Sequence, residues 1–140
     1  MDTYDLQRFV DAQEEGDAYE QALSELRAGR KTSHWMWFVF PQRAGLGQSA
    51  MSRRYAIGSA AEAQAYLDHP VLGPRLVECS EALLAHDDRS AREIFGGVDE
   101  VKLRSSMTLF AAVASERPIF QQVLDRYFEG EVDASTTDWL

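Results

Sequence analysis

Glycine and proline residues divide this chain into short segments, and most of these segments space their apolar residues as amphipathic helices do. Few segments alternate apolar and polar residues in the manner of a strand. The longest apolar run, residues 35–40, is far shorter than the ~20 residues that span a bilayer. The sequence therefore predicts an all-α fold, with six to seven short helices too unequal in length for a regular four-helix bundle.

Local signals place several of these helices. Ser59 with Glu62, and Ser90 with Glu93, have the spacing of a capping box. Glycines end several segments, and Asp99 is a candidate N-cap. The expected helices include about 4–14, a second ending near 28, one starting at 59, a Leu-rich one after 70, a short one closed by 96–97, one over about 100–115, and one after 118.

Two stretches are less regular. Residues 32–40 are rich in aromatic and β-branched side chains, which favours a strand, whereas Ser33 could cap a short helix there. The all-α prediction therefore includes, as an alternative, a short extended segment near 34–40. Residues 43–58 contain three glycines and are predicted to form an irregular loop. Loops of such length inside a domain are uncommon and often functional.

The size of the chain predicts one domain, residues 1–140, since single domains commonly contain ~100–150 residues. Cys79 is the sole cysteine, so no internal disulfide can form. Asp2 and Asp5 stand where a secretory signal would carry Lys or Arg. These features predict a location in the reducing cytoplasm.

Charge is distributed unevenly along the chain. The net charge of −9 argues against nucleic acid and anionic membranes as partners, because both attract positive surfaces. Between Glu25 and Glu62, however, there is no acidic residue and there are six basic ones. These cations could converge on an anionic ligand, or they could neutralise the N-terminal helices, where residues 1–25 hold eight acids and one base.

Common catalytic and metal-binding patterns are missing. His34, His69 and His86 stand in unrelated contexts, without a Cys pair or an HExxH motif, so no metal or other cofactor is predicted. Cys79 falls on the apolar side of a predicted helix, as an unreactive core cysteine does. No Gly-x-Ser-x-Gly elbow is present. Catalytic residues are not identified, and whether the protein is an enzyme is left open.

A ligand site is predicted from three groups of residues. The acid-free segment between Glu25 and Glu62, called the basic window below, supplies cations that could contact phosphate. The loop around Gly45 and Gly47 could contact phosphate as well, although it lacks the full P-loop pattern. The tryptophans could stack on a ring. Lys102 shares a predicted helix face with Asp99 and nearby hydroxyls, and would either form a surface salt bridge or bind an oxyanion. The candidate ligand-binding residues are Arg30, Lys31, His34, Trp35, Trp37, Gln42, Tyr55, Asp99, Lys102, Ser105, Ser106 and Thr108.

Three stretches resemble a known protein family. They are GRKTSHWMWFVFPQ at 29–42, EAQAYLDHPVLG at 62–73, and FGGVD at 95–99 with KLRSSMTLF at 102–110. They resemble the bacterial domain-of-unknown-function family 1810, over nearly the whole chain. The resemblance implies a mostly helical single-domain fold and no established activity. Many members are labelled "calpastatin", but calpastatin is a long, disordered chain rich in Pro and Lys, and this composition does not fit it.

A weaker similarity links the order of the helical segments to the NADAR group, which acts on N-glycosidic or ADP-ribose-type substrates, although no motif matches residue by residue. Three hypotheses follow. The first is an uncharacterised protein that binds a small phosphorylated or nucleotide-like ligand at a basic and aromatic pocket. The second is a non-catalytic interaction module that self-associates, with the oligomeric state left open. The third and most remote is NADAR-like processing.

Overall fold

The computed structural model describes residues 2–140 and confirms the all-α prediction. No strand occurs in that range, where the β-pairing is confined to an isolated parallel bridge between Arg43 and Ile57. A 3-10 turn, Glu15–Asp17, joins the first two helices. The α-helices are α1 (Gln7–Glu14), α2 (Ala18–Ala28), α3 (Met36–Val39), α4 (Ala50–Arg54), α5 (Ala60–Asp68), α6 (Leu72–Leu84), α7 (Ala91–Val113), α8 (Ile119–Phe128) and α9 (Ala134–Trp139).

Both predicted capping signals mark helix starts. Ser90 and Glu93 form a complete capping box: the Ser90 hydroxyl accepts from the Glu93 N–H at 3.1 Å, and the Glu93 carboxylate accepts from the Ser90 N–H at 2.8 Å. At α5 the Ser59 hydroxyl accepts from the Glu62 N–H at 3.0 Å. The Glu62 carboxylate accepts instead from the N–H of Gly58, at 3.0 Å. The two helices therefore begin where the sequence places them.

The alternative of an extended segment near 34–40 is wrong, because Met36–Val39 forms a helical turn. The Trp35 carbonyl accepts a hydrogen bond from the Val39 N–H at 3.1 Å, and the Met36 carbonyl accepts one from the Phe40 N–H at 3.1 Å. Trp35, Phe38 and Phe40 are all buried in the core. In the described chain no strand lies alongside for an extended segment to pair with, so packing of the rings decides the conformation.

The predicted irregular loop at 43–58 is more ordered than expected. It contains α4, whose N-cap Ser49 accepts a hydrogen bond from the Ser52 N–H at 3.1 Å. The guanidinium of Arg8 on α1 holds its far end, since it donates to the carbonyls of Arg54 and Ala56, both at 2.8 Å. The side chain of Arg8 therefore anchors the C-terminal end of this loop to α1.

Helix α7 is broken by Gly96, whose backbone angles, φ 84° and ψ 166°, lie far from helical values. The break confirms the predicted end of a short helix at Gly96 and Gly97. The chain becomes helical again at once, so the predicted start at about 100 is too late. Asp99 consequently lies within the helix, and its carboxylate binds lysine side chains instead of capping the backbone.

The long helix α7 organises the packing, with α5, α8 and α9 against it, while α6 packs on α2, α5 and α8. The core cluster includes side chains from Leu6 through Leu124. None of the helices in residues 2–140 combines the length and the hydropathy that crossing a membrane requires. This arrangement sets the segment around α3 against the second half of α7, and the candidate site lies between them.

Candidate functional site between the α3 segment and α7

A cleft of about 410 Å³ opens between the segment that contains α3 and the part of α7 that follows Gly96. Its surface is mostly apolar, with a few polar groups. The lining residues are Trp37, Gln42, Leu46, Gly97, Val98, Val101, Lys102 and Ser105. Four of these eight, Trp37, Gln42, Lys102 and Ser105, were predicted as ligand-binding residues from the sequence.

One carboxylate joins the two predicted lysines behind this cleft. Asp99 binds the Lys31 ammonium at 2.8 Å through one oxygen and the Lys102 ammonium at 3.0 Å through the other. Burial by itself would raise the pKa of Asp99, but the hydrogen bonds and charges of the two lysines outweigh it and hold that pKa below its ordinary value. Asp99 is therefore ionised at neutral pH, and the two lysines together with this one carboxylate carry a net charge of +1.

The two lysines differ in their access to the cleft. The side chain of Lys31 is 8% exposed, and its ammonium donates to the Ser33 carbonyl at 2.6 Å and lies 5.1 Å from the Trp35 ring centre. The side chain of Lys102 is 21% exposed, and its ammonium lies 4.1 Å from the centre of the Trp37 ring. Lys102 therefore forms the salt bridge with Asp99 that was one of the two alternatives, and its side chain is partly buried. Oxyanion binding by Lys102 stays a prediction.

Glu25, a residue that sequence reasoning missed, holds the predicted binding segment in place. Its carboxylate accepts hydrogen bonds from the Thr32 N–H at 2.8 Å, the Ser33 N–H at 3.0 Å and the Trp35 indole N–H at 2.9 Å. The Ser33 hydroxyl adds a fourth bond at 2.6 Å. Burial raises the pKa of Glu25, but these bonds prevail and lower it to about 2. The available signal was its position, since Glu25 is the acid that borders the acid-free window.

Gln42 brings an amide to the cleft. The residue is 8% exposed, and its backbone carbonyl accepts a hydrogen bond from the Ile57 N–H at 2.8 Å. Its side-chain amide lines the cleft and has no hydrogen-bond partner among residues 2–140. An amide that faces the cleft and makes no bond to the protein can donate to a ligand through its NH₂ group and accept through its carbonyl oxygen.

Arg30, His34 and Tyr55 are among the predicted residues that do not line the cleft. Arg30 and His34 are exposed and do not belong to its lining. Tyr55 is buried in the core, with its ring centre 5.8 Å from that of Phe9 and 5.5 Å from that of Phe38. The cleft therefore brings together a subset of the basic and aromatic residues that the sequence pattern selected.

The three predicted hydroxyls of α7 have different surroundings. Ser105 lines the cleft and donates to the Asp133 carboxylate at 2.8 Å. Thr108 donates to the Arg104 carbonyl at 2.7 Å and accepts from the Asp133 N–H at 2.9 Å, so it anchors the segment that leads to α9. Ser106 is fully buried, and its hydroxyl has no partner within the described residues. Hydrogen bonding thus ties two of the three hydroxyls to the C-terminal segment.

The cations of the basic window do not converge on one place in the structure. Two of its cations form ion pairs within residues 2–140, Arg27 with Glu78 at 3.9 Å and Lys31 with Asp99 at 2.8 Å. Neither pair includes an acid of residues 2–25. Arg43 lies elsewhere again, 5.9 Å from the ring centre of Trp139.

The glycine loop of the window has a packing role. A Cβ added at Gly47 would come within 2.6 Å of the Ser52 Cβ and 3.5 Å of the Trp37 ring. Glycine at this position therefore lets the loop pass close to α4 and to the indole that lines the cleft. Leu46, the residue before Gly47 in this loop, lines the cleft.

The other reactive groups lie outside the cleft. Cys79 is fully buried, and desolvation raises the pKa of its thiol to about 12, so it is protonated at neutral pH. Within the part of the chain that the structure describes, no three His, Cys, Asp or Glu side chains are grouped so that they could hold a metal ion.

Fold and site together define a small all-α protein with a cleft between a short aromatic helical turn and a long, glycine-broken helix. Residues 3–140 match the protein family described as "Protein of unknown function (DUF1810)". The chain therefore belongs to the domain-of-unknown-function family 1810, as its motifs indicated.

A solved structure supports the fold. The chain is similar to the conserved hypothetical protein Rv1873 from Mycobacterium tuberculosis, with 50% sequence identity and a TM-score of 0.95. The similarity covers 98% of this chain and 96% of the mycobacterial chain. A comparison with curated proteins finds no match.

Proposed function

We propose that this protein binds a small ligand that combines a planar ring with an anionic group, the class to which phosphorylated and nucleotide-like compounds belong. The observation that carries the proposal is the position of the Lys102 ammonium, 4.1 Å from the centre of the Trp37 ring at the cleft wall. A cation and an aromatic face so close together offer both groups that such a ligand requires.

The apolar part of the cleft suits the ring. Trp37 is half-buried and presents indole surface, while Leu46, Val98 and Val101 provide aliphatic walls. Stacking on an aromatic side chain contributes ~1–3 kcal/mol per base in single-stranded nucleic acid complexes. The volume, about 410 Å³, falls within the ~300–1,000 Å³ that is usual for small-molecule sites.

The polar part of the cleft suits the anion. The flexible stem of Lys102 allows its ammonium to turn from the Trp37 face towards a ligand oxygen while Asp99 remains within reach. The nearly buried Lys31 ammonium remains paired with the other oxygen of Asp99 and keeps that carboxylate in place. The free amide of Gln42 adds a neutral donor and acceptor.

The proposal is binding, and it includes no reaction. Ser105 already donates to Asp133, and Lys102 already pairs with Asp99, so the described lining does not pair a nucleophile with a free base. NADAR-like processing of ADP-ribose or N-glycosides draws no support from this lining and remains a prediction from the weak similarity. ADP-ribose therefore belongs in the test as one ligand among several.

A second candidate function is contact with another protein, and one observation favours it. Val98 and Val101 are 73% and 60% exposed and stand three residues apart on α7, at the rim of the cleft. Sedimentation velocity across a range of concentrations and at low and high salt tests self-association through this rim. A concentration-dependent dimer that Val98→Ser abolishes supports this function, and a monomer under every condition removes the self-associating form.

Binding is tested by calorimetric titration and thermal shift with uridine monophosphate, adenosine monophosphate, ADP-ribose and a sugar phosphate, together with aromatic carboxylates. A ligand present at 100 times its Kd stabilises the folded state by about 2.7 kcal/mol, which a melting curve detects. The informative variant is Lys102→Met. Arg53→Met is its matched control, because it removes the same charge from an exposed position on α4 outside the cleft.

The proposal expects at least one ring-bearing anion to bind the wild-type protein and Arg53→Met, and to bind Lys102→Met at least ~10-fold more weakly, in line with a charge-assisted hydrogen bond. If no compound of either anion class binds at millimolar concentration, the proposal is wrong. Equal weakening in the two variants would also contradict it, since it would show an effect of overall charge.

A further inference from the structure

Resting on the proposed function, we infer which ligands the cleft prefers: a single nitrogen heterocycle with a carboxylate attached directly to the ring, ahead of phosphate esters and dinucleotides. Four properties of the cleft carry this inference. They are its volume, its net charge, the position of its cation and the unpaired amide of Gln42.

Volume limits the number of rings. The cleft measures about 410 Å³, near the lower end of the ~300–1,000 Å³ range of small-molecule sites. Its aromatic wall is a single indole, that of Trp37, because Trp35 is 2% exposed and packs inside the core. One ring can therefore stack, whereas the second ring of a dinucleotide would lie in solvent.

Charge favours a single negative group. Lys102 is the charged residue among the lining side chains that the structure describes. With Asp99 and Lys31 behind it, the local sum is +1. A carboxylate carries −1, whereas a phosphate monoester carries about −1.5 to −2 at neutral pH. A phosphate would thus bring excess negative charge close to Asp99, which repels it.

Neighbouring cations do not supply the additional positive charge that a phosphate would require. Arg92 pairs with Glu100 at 3.1 Å, and Arg104 donates to the backbone carbonyls of Glu131 and Val132 at 3.0 and 2.7 Å. Both guanidinium groups are therefore already engaged with protein oxygens. Recruiting either one to a phosphate would break these contacts.

The position of the cation sets the distance between ring and acid. The Lys102 ammonium lies over the Trp37 ring, 4.1 Å from its centre, so a ring that stacks on that indole displaces the ammonium, which its flexible stem keeps within reach of the edge of the ligand ring. An acid attached directly to the ring reaches the ammonium there. The phosphate of a nucleotide, separated from its base by a ribose, extends past it.

Gln42 specifies the edge of the ring. The residue is 8% exposed, and its side-chain amide faces the cleft without a partner among the described residues. A carboxamide offers one C=O and one NH₂ side by side, and so it pairs with an adjacent N–H and C=O of a heterocycle. A pyrimidinedione has such an edge, while a plain hydrocarbon ring would leave the amide unsatisfied.

A series on one ring tests this preference with the full chain. Calorimetric titration compares uracil, which has the ring alone, orotate, which adds a ring carboxylate, and uridine monophosphate, which adds ribose phosphate. A pyridine pair, pyridine-3-carboxamide and pyridine-3-carboxylate, repeats the comparison on a second ring. The variants are Lys102→Met, Gln42→Leu and the control Arg53→Met.

We expect orotate to bind at least ~10-fold more tightly than uracil or uridine monophosphate, which corresponds to ~1.4 kcal/mol. Lys102→Met should remove the difference between orotate and uracil, and Arg53→Met should leave it intact. Gln42→Leu should weaken uracil and orotate alike. The pyridine pair should show the same preference for the carboxylate.

Tighter binding of uridine monophosphate than of orotate overturns this inference and leaves the proposed function standing. Equal binding of charged and uncharged members of both pairs overturns it as well. If neither carboxylate binds while a phosphate compound does, the ligand class is wrong and the proposed function survives. If no ring-bearing anion of either class binds, both fail.

Discussion

The ammonium of Lys102 lies 4.1 Å from the centre of the Trp37 ring and so joins two stretches that are far apart in the sequence. Asp99 fixes the geometry of this contact, because it binds Lys102 at 3.0 Å and the buried Lys31 at 2.8 Å. Lys31 in turn belongs to the segment that carries the tryptophans. The cleft is therefore organised by one carboxylate shared between its two walls.

The first prediction concerns this shared carboxylate. Asp99→Asn removes the charge that compensates Lys31, whose side chain is 8% exposed, so a nearly buried ammonium is left without a counter-ion. We expect the free energy of unfolding to fall by about 2–3 kcal/mol, since breaking a buried ion pair from one side is costly. Urea denaturation at neutral pH measures the loss.

A double variant identifies the cause of that loss. Adding Lys31→Met to Asp99→Asn removes the unpaired ammonium and should recover at least ~1 kcal/mol, because an apolar side chain suits the buried position. If the double variant is less stable than Asp99→Asn alone, the uncompensated charge is not the reason for the loss.

The second prediction concerns Glu25, which holds the segment ahead of α3. Glu25→Gln replaces an ionised acceptor of four hydrogen bonds with a neutral amide that cannot accept them all. We expect a loss of about 2 kcal/mol in the free energy of unfolding at pH 7. Glu20→Gln, on the exposed face of the same helix, is the control and should stay within ~0.5 kcal/mol of wild type. Similar losses in the two variants would contradict the role of Glu25.

The third prediction follows from the pKa of the same residue. Hydrogen bonds lower the pKa of Glu25 from 4.5 to about 2 on folding, so the unfolded chain binds the proton more readily than the folded one. The stability that Glu25 contributes is complete above pH ~4.5 and is lost as the pH falls towards 2. Urea unfolding from pH 6 to pH 2.5 should show Glu25→Gln and wild type converging. A constant difference over that range would contradict the prediction.

The fourth prediction compares two adjacent glycines. Gly96 has φ 84° and ψ 166°, a conformation that side-chain-bearing residues avoid, although space surrounds its Cα. Gly96→Ala should therefore lower the free energy of unfolding by about 1–3 kcal/mol through backbone strain alone. Gly97→Ala meets only ordinary contacts, 3.5 Å from Arg92, and should be neutral or slightly stabilising. Chemical denaturation measures the free energy of unfolding of both variants. A larger loss for Gly97→Ala than for Gly96→Ala would contradict a helix break fixed by the backbone of Gly96.

Local features of the fold were predictable because their causes lie within a few residues. The hydroxyls of Ser59 and Ser90 cap helices from short range, and Gly96 interrupts α7 by its own backbone freedom. The helical turn at Met36–Val39 could not be predicted from the aromatic content of the segment alone. Its conformation depends on burial of Trp35 and Phe38 against distant parts of the chain, which no local pattern contains.

The site was predictable only in part, for a related reason. Charge and aromatic content selected the two stretches that meet at the cleft, but they did not separate Lys102, which lines the cleft, from Arg30, which is exposed. Thr108 looked like a site hydroxyl, whereas it anchors the segment before α9. The role of Glu25 was hidden because two of its four hydrogen-bond partners are backbone groups, and the positions of all four depend on the tertiary fold.

The most direct test of the central claim is an NMR titration of the isotope-labelled protein with orotate and with uridine monophosphate, followed through backbone, indole and Gln side-chain amide signals. If the ligand occupies the cleft, saturable shifts appear at the indole N–H of Trp37, at the Gln42 amide and over residues 97–105. Residues around the separate cavity next to Asp2 and His69 should show no shift and serve as an internal control. No shift with either compound, or shifts centred on that other cavity, would contradict the assignment of the binding site.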